Sequence, residues 1–396
     1  MSVGAGREPL WSRDYVLTLL TTFSFFASLF YLTTTLPDYI DDVGGAEWEV
    51  GLVVGAFAVV PIVLRPYVGR WSDRGGRKWL VRGGLVVMAL SIAPMAGTGE
   101  MLALFALRLV QGIGVAMVPT SAAALMAAIV PASRRGEGVG FFGMAAGSAQ
   151  MVGPVAGAWF AAQWGFGAVF VIASLTAAAA LLVVQPVSEP PVGAAVRSGR
   201  SGPLLPPRAI FPASIFLATT LAFTAAFIFL PLLGKERGLG EVAFFFTMHG
   251  GASLVARPLG GRISDRVGRV PVITFGLSGM VVAMILLGSA ESFAVVLAAG
   301  LCSGLGLGST QTGCFALALD RVPYEQQGGA TAVLQLAWDV AGIGAGVAFG
   351  VLASLWGVAS IFWGSALLVA VAIVVLHLGR AGGLTRATPL STPPPA

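Results

Sequence analysis

The strongest constraint on this chain is where its charges are missing. Residues 15–37, 109–133, 209–234, 270–290 and 292–319 contain no Asp, Glu, Lys or Arg, and each run is long enough for one membrane-crossing helix of roughly 20 residues. Two further runs, 138–188 and 340–379, are double length, and each carries a Trp-Gly break, at Gln163-Trp164-Gly165 and Leu355-Trp356-Gly357. They read as helix pairs. Shorter stretches after Glu49, Arg82 and Glu241 complete an expected twelve spans, the first helix of the second pair being entered at Glu325. Composition agrees: of 396 residues, 56% are hydrophobic and only 10% charged. Soluble domains carry about 25% charge, so soluble enzyme and nucleic-acid-binding classes are excluded, whatever the pI near 9.7 suggests.

The basic residues give an orientation. With the N terminus in the cytoplasm, all of the 23 Lys and Arg except Arg108, Lys235 and Arg237 fall on inside-facing segments. The acids Asp38, Asp41, Asp42, Glu47, Glu49, Glu100, Glu236, Glu241 and Glu291 fall outside, as the positive-inside rule requires. Both termini are therefore expected in the cytoplasm of a cell (inner) membrane protein. The stretch before Tyr15 is too polar and short for a signal peptide, so the first span is expected to be retained. Cys302 and Cys314 share one predicted helix about 18 Å apart, which excludes a disulfide.

The chain also repeats itself. At an offset of 192 residues, residues 65–77 align with residues 257–269, and nine of the 13 positions are identical. Without a gap, the same offset pairs Glu49 with Glu241, Gly112 with Gly304, Gly114 with Gly306, Val130-Pro131 with Val322-Pro323, and Gly136 with Gly328. The expected architecture is therefore all-α and membrane-integral, with two parallel six-helix bundles related by a pseudo-two-fold axis along the membrane normal. Its boundaries fall at 1–187 and 209–379, with a Pro-, Gly- and Arg-rich cytoplasmic linker over 188–208 and a disordered tail over 380–396. Such halves suit a carrier that rocks around a midplane site.

The residues then resemble a known family. Gly69-Arg70-Trp71-Ser72-Asp73-Arg74-Gly75-Gly76-Arg77-Lys78 is similar to the loop motif of the major facilitator superfamily, and residues 261–269 form a weaker second copy. Arg108-Leu109-Val110-Gln111-Gly112-Ile113-Gly114 resembles its fourth-helix motif. Gly153-Pro154-Val155-Ala156-Gly157 resembles the fifth-helix motif of its proton-coupled exporters, although Ala149 stands where those often carry glycine. The resemblance implies a conformational latch at Gly69, Asp73, Arg74, Arg77, Gly261, Asp265, Arg266 and Arg269. From the residues alone, each aspartate is expected to pair with the arginine four positions on or to accept from the start of the next helix. Gly153, Pro154 and Gly157 are expected to kink the fifth helix.

Four residues are candidates for proton coupling. Asp339 is the deepest carboxylate, and a lone acid in an apolar span is a natural proton carrier. Arg108 is about 12 Å in from the outer surface; the resemblance implies that it acts on a nearby acid, with Gln111 one turn on as a hydrogen-bonding partner or, alternatively, that it ties down neighbouring carbonyls. His249 is a candidate because an unperturbed histidine titrates in a useful range, and Asp38 follows Pro37 at the outer end of the first span. The resemblance also implies that helices 1, 4, 7 and 10 line the substrate cavity, offering Phe26, Phe30, Tyr31, Gln111, Phe223, Phe227, Thr310 and Gln311. A mostly apolar cavity suits an amphipathic drug-like or metabolite molecule. The expectation is proton-coupled export of such a molecule by a monomeric carrier in the lipid bilayer, the alternative being an importer or uniporter for a sugar or organic acid. No enzyme activity, cofactor, metal or nucleic-acid partner is expected: His249 and His377 are the only histidines.

Overall fold

A chain in lipid must satisfy its backbone hydrogen bonds internally, and the long apolar runs do so as helices. The computed structural model describes residues 9–189, 203–239 and 242–385. Among them are α1 Arg13–Asp42, α2 Glu47–Ala56, α3 Val59–Asp73, α4 Arg77–Ile92, α5 Met101–Ile129, α6 Arg135–Trp164 and α7 Phe166–Val184. The second half supplies α8 Pro207–Arg237, α9 Ala243–Val267, α10 Arg269–Gly288, α11 Phe293–Arg321, α12 Gln327–Trp356 and α13 Ala359–Ala381. Since α2 and α3 are two parts of one crossing, these make twelve spans. Among the described residues, ten helical runs are long and apolar enough to cross a membrane on composition alone. The other two are α9, which carries Arg257, Arg262 and Asp265, and α12, which carries Asp339. The first and last helices begin and end on one face, with the arginine-rich loops; it is called the basic face below.

The repeat survives as geometry. Helices α5 and α11 are both 29 residues long, α6 and α12 are both 30, and each pair starts and stops at the same offset of 192 residues. Short 3-10 turns at Ala132–Arg134 and Tyr324–Gln326 precede α6 and α12 at that offset too. The Trp-Gly breaks end α6 and α12 at Gly165 (φ 80°) and Gly357 (φ 79°), a left-handed conformation that only glycine enters without strain. The expected linker lies mostly outside the described residues, at 190–202, as does the expected tail at 386–396. At the start of the linker, the Glu189 carboxylate accepts from the N–H groups of Gly76, Arg77 and Lys78 at 3.1, 2.7 and 3.3 Å, capping the start of α4.

The halves meet where α3 packs on α12 and α6 on α9. Inside the first half, α1 lies along α6. Helix α6 runs unbroken through Pro154, and the neighbouring glycines act by lacking side chains. A Cβ on Gly153 would sit 2.5 Å from the Phe30 Cβ, and one on Gly157 would run into the Tyr31 carbonyl. Gly157→Leu should therefore push α1 off α6 and cost about 1–3 kcal/mol. Thermal unfolding in detergent checks this, and an unchanged midpoint would show that the helices can move apart freely.

Candidate functional site

The loop aspartates bridge the halves. Asp73, at the end of α3, accepts from Gly328 N at 2.5 Å and Gly329 N at 2.9 Å. Asp265, its repeat mate near the end of α9, accepts from Gly136 N at 2.8 Å and Glu137 N at 2.9 Å. Each carboxylate thus caps the start of a helix in the opposite half, α12 or α6, where unpaired N–H groups and the helix dipole favour a negative charge. The expected pairing with the arginine four residues on occurs for Asp265, at 2.5 Å from Arg269. It does not occur for Asp73: the Arg77 guanidinium turns to Tyr324, 2.9 Å from its hydroxyl and 4.7 Å from its ring centre. The helix start expected to follow each loop is not the one capped. Gly69 and Gly261 make the crossing possible, since a Cβ on Gly69 would lie 2.8 Å from the Gly328 carbonyl, and one on Gly261 would strike the Gly136 carbonyl.

Ion pairs reinforce this closure. Glu137 holds Arg134 at 2.6 Å and, across the halves, Arg262 at 2.7 Å. Asp320 holds Arg135, also across the halves, at 3.0 Å and Arg269 at 2.8 Å. Arg74 is exposed just after α3, and Arg266 is exposed in the last turn of α9.

Eight residues back from Asp73, about 12 Å along the helix, Arg65 reaches Asp339. Nε lies 2.5 Å from Oδ2 and Nη2 3.2 Å from Oδ1, a two-pronged pair joining α3 to α12. Arg65 is 4% exposed and also donates to the Thr120 hydroxyl at 3.3 Å. Asp339 is therefore not the lone acid expected from sequence: its partner comes from the other half.

Arg65 also borders a cavity of about 170 Å³ between the halves. Phe26, Phe30, Phe142, Phe315 and Trp338 give it aromatic walls; Arg257, Gln150, Gln311 and Gln335 give it polar points. Of the expected cavity residues, Phe26, Phe30 and Gln311 are there. The others stand elsewhere. Tyr31 packs on Phe160 with ring centres 5.4 Å apart, and Gln111 is buried beside Arg108. Phe223 stacks on His249 at 4.3 Å, Phe227 turns a 53% exposed ring toward Phe246, and Thr310 is buried against Gly276.

The remaining coupling candidates have other surroundings. Near the α2–α3 junction the Ala58 N–H bonds to the Gly55 carbonyl instead of continuing the α-helical pattern. Arg108 supplies donors there: Nη2 to the Val54 carbonyl at 2.7 Å and Nε to Val53 at 3.3 Å, with its guanidinium 4.4 Å above the Phe57 ring. Gln111 is its partner at 2.5 Å, as expected. Among the described residues no carboxylate forms an ion pair with Arg108, whose donors go to the Val53 and Val54 carbonyls and to Gln111. His249 lies 3.0 Å from the Ser303 hydroxyl between aromatic rings. Asp38 is exposed at the far end of α1.

Arg65, Arg257, Glu137, Asp320 and Trp338 were not singled out as site residues. The charge pattern alone places Arg65 and Arg257 among the inside-facing charges, yet the sequence carries a signal. Both stand eight residues before a loop aspartate, too far along a helix to belong to the loop.

Comparison with known proteins bears on the family and the fold. The family model of the Major Facilitator Superfamily matches residues 18–252 and 213–394. An uncharacterized MFS-type transporter of Methanocaldococcus jannaschii is 23% identical over 378 residues, covering 92% of this chain and 98% of that one. Multidrug resistance protein 2 of Bacillus subtilis is 28% identical over 154 residues, 39% of this chain and 38% of that one. Among solved structures, the proton:xylose symporter XylE superimposes with a TM-score of 0.78 at 18% identity, covering 92% of this chain and 95% of that one.

Proposed function

Since this chain belongs to the Major Facilitator Superfamily and is a multi-pass membrane transporter, we propose that it exports an amphipathic organic molecule in exchange for protons, by alternating access. The observation that carries this reading is the Arg65–Asp339 pair, a carboxylate beside an aromatic cavity that ties one half to the other. With the basic face placed in the cytoplasm, the structure corresponds to a state sealed on that side. A proton arriving on Asp339 removes the charge that holds Arg65, loosening α3 from α12 and favouring opening inward. Loss of that proton to the cytoplasm restores the tie once substrate has loaded, which drives the cycle outward. The local likeness to a multidrug resistance protein supports export of an apolar, drug-like cargo. Five aromatic rings around a small cavity suit such a cargo better than a sugar, which needs many hydrogen bonds.

The test is a library screen on the purified protein for compounds that raise its melting temperature, followed by reconstitution. Uphill accumulation of a hit in inside-out vesicles is expected only when the lumen is acidic, so that protons leave as the hit enters. Uptake that only equilibrates the hit, equally with and without the gradient, would replace the exchanger with a uniporter.

A further inference from the structure

Beside the cavity the two halves differ in the anion offered to a matched arginine. Arg65 and Arg257 are repeat mates, and so are Asp339 and Gly147. The first arginine has a carboxylate; the second faces a glycine. Arg257 is 5% exposed and lines the cavity, and no ion pair reaches it among the described residues. Its Nη1 donates to the Gly143 carbonyl, while Nε is buried with no partner. A Cβ on Gly147 would fall on Nη1, so the guanidinium occupies the space that a side chain would fill there. The cavity wall thus holds two guanidiniums and has one carboxylate to balance them.

A buried guanidinium without an anion is costly unless something else supplies the charge. The same cavity is lined by Phe26 and Phe30, stacked with ring centres 5.9 Å apart, and by Trp338. We propose that the transported molecule is an aromatic organic anion, a carboxylate or sulfonate, whose acid group pairs with Arg257 while its ring lies among Phe26, Phe30 and Trp338. The proposal rests on the transport reading and narrows its cargo. Two-pronged guanidinium–carboxylate contact supplies orientation as well as affinity. The substrate would then stand where Asp339 stands in the other half, each arginine having its own anion.

The experiment compares 2-naphthoate, its neutral isostere 2-naphthamide and the cation 2-naphthylmethylammonium, by equilibrium binding to the purified full chain at constant ionic strength and without any proton gradient. Naphthoate is expected to bind at least about tenfold more tightly than the other two. Arg257→Gln should remove that preference. Because loss of a buried arginine can perturb folding, Gly147→Asp is the second variant: it keeps Arg257 and offers it an internal carboxylate, so it should also remove the preference while the melting temperature is retained or raised. Naphthoate binding no better than the amide, tighter binding of the cation, no binding by any of the three, or a preference that survives in both variants would each overturn the proposal. Gradient dependence is measured separately, so failure of proton exchange with the anion preference intact would remove the coupling and leave the substrate class standing.

Discussion

Asp339→Asn is expected to end uphill transport while leaving substrate binding and exchange measurable. The substitution keeps size and polarity but leaves Arg65 as a buried charge facing a neutral amide. Stranding one member of a buried pair costs about 3–5 kcal/mol, so the variant should also melt earlier. The double variant Arg65→Met with Asp339→Asn removes both charges and should regain much of that stability without regaining uphill movement. Thermal unfolding of the three proteins, set beside vesicle uptake with and without a gradient, separates the structural part from the coupling part. Uphill movement that persists in Asp339→Asn would assign proton exchange to another group, His249 or Asp38 being those marked by sequence.

Neutralising both loop acids should have the second-largest effect. Each carboxylate accepts two N–H groups from the opposite half, and a charge-assisted contact of this kind contributes about 1.5–3 kcal/mol. Asp73→Asn should shift the balance toward opening at the basic face by about tenfold or more, slowing turnover without abolishing binding. Asp265→Asn should do less, because Arg269 remains beside the new amide. The sites share no partner, so Asp73→Asn with Asp265→Asn should be close to additive. Distances between spin labels on the basic-face loops read this directly. An unaltered distance distribution in the double variant would show that the glycine crossings and ion pairs close that face without the acids.

Much of the fold was legible because lipid leaves a chain few choices: charge-free runs become helices, and Trp-Gly breaks at 164–165 and 356–357 end them. The α2–α3 junction was not legible, because Phe57 and Ala58 look like any other apolar pair and the stabilising donor, Arg108, lies on another helix. In the site, the acids were visible and their partners were not. Asp339 stands out as the deep carboxylate, but nothing local says that Arg65, 274 positions away, reaches it. The same holds for Asp73 and the start of α12: a capping acid advertises itself, while the N–H groups it caps belong to every helix alike. Aromatic residues were hardest to place. Phe26 and Phe30 face the cavity and Tyr31 faces Phe160, although all three lie within two turns of one uniformly apolar helix.

The unshifted helix boundaries bear on ancestry as well as architecture. Between the two copies, side chains have been rewritten as freely as Gly147 against Asp339, yet from α4 to α6 no start or stop has drifted by a residue relative to the later copy, apart from the tail end of α4. Lengthening a turn by one amino acid would rotate everything beyond it by about 100° on a helix and carry both capping acids away from their targets. Descent has evidently been able to edit the spelling of this protein far more easily than its metre.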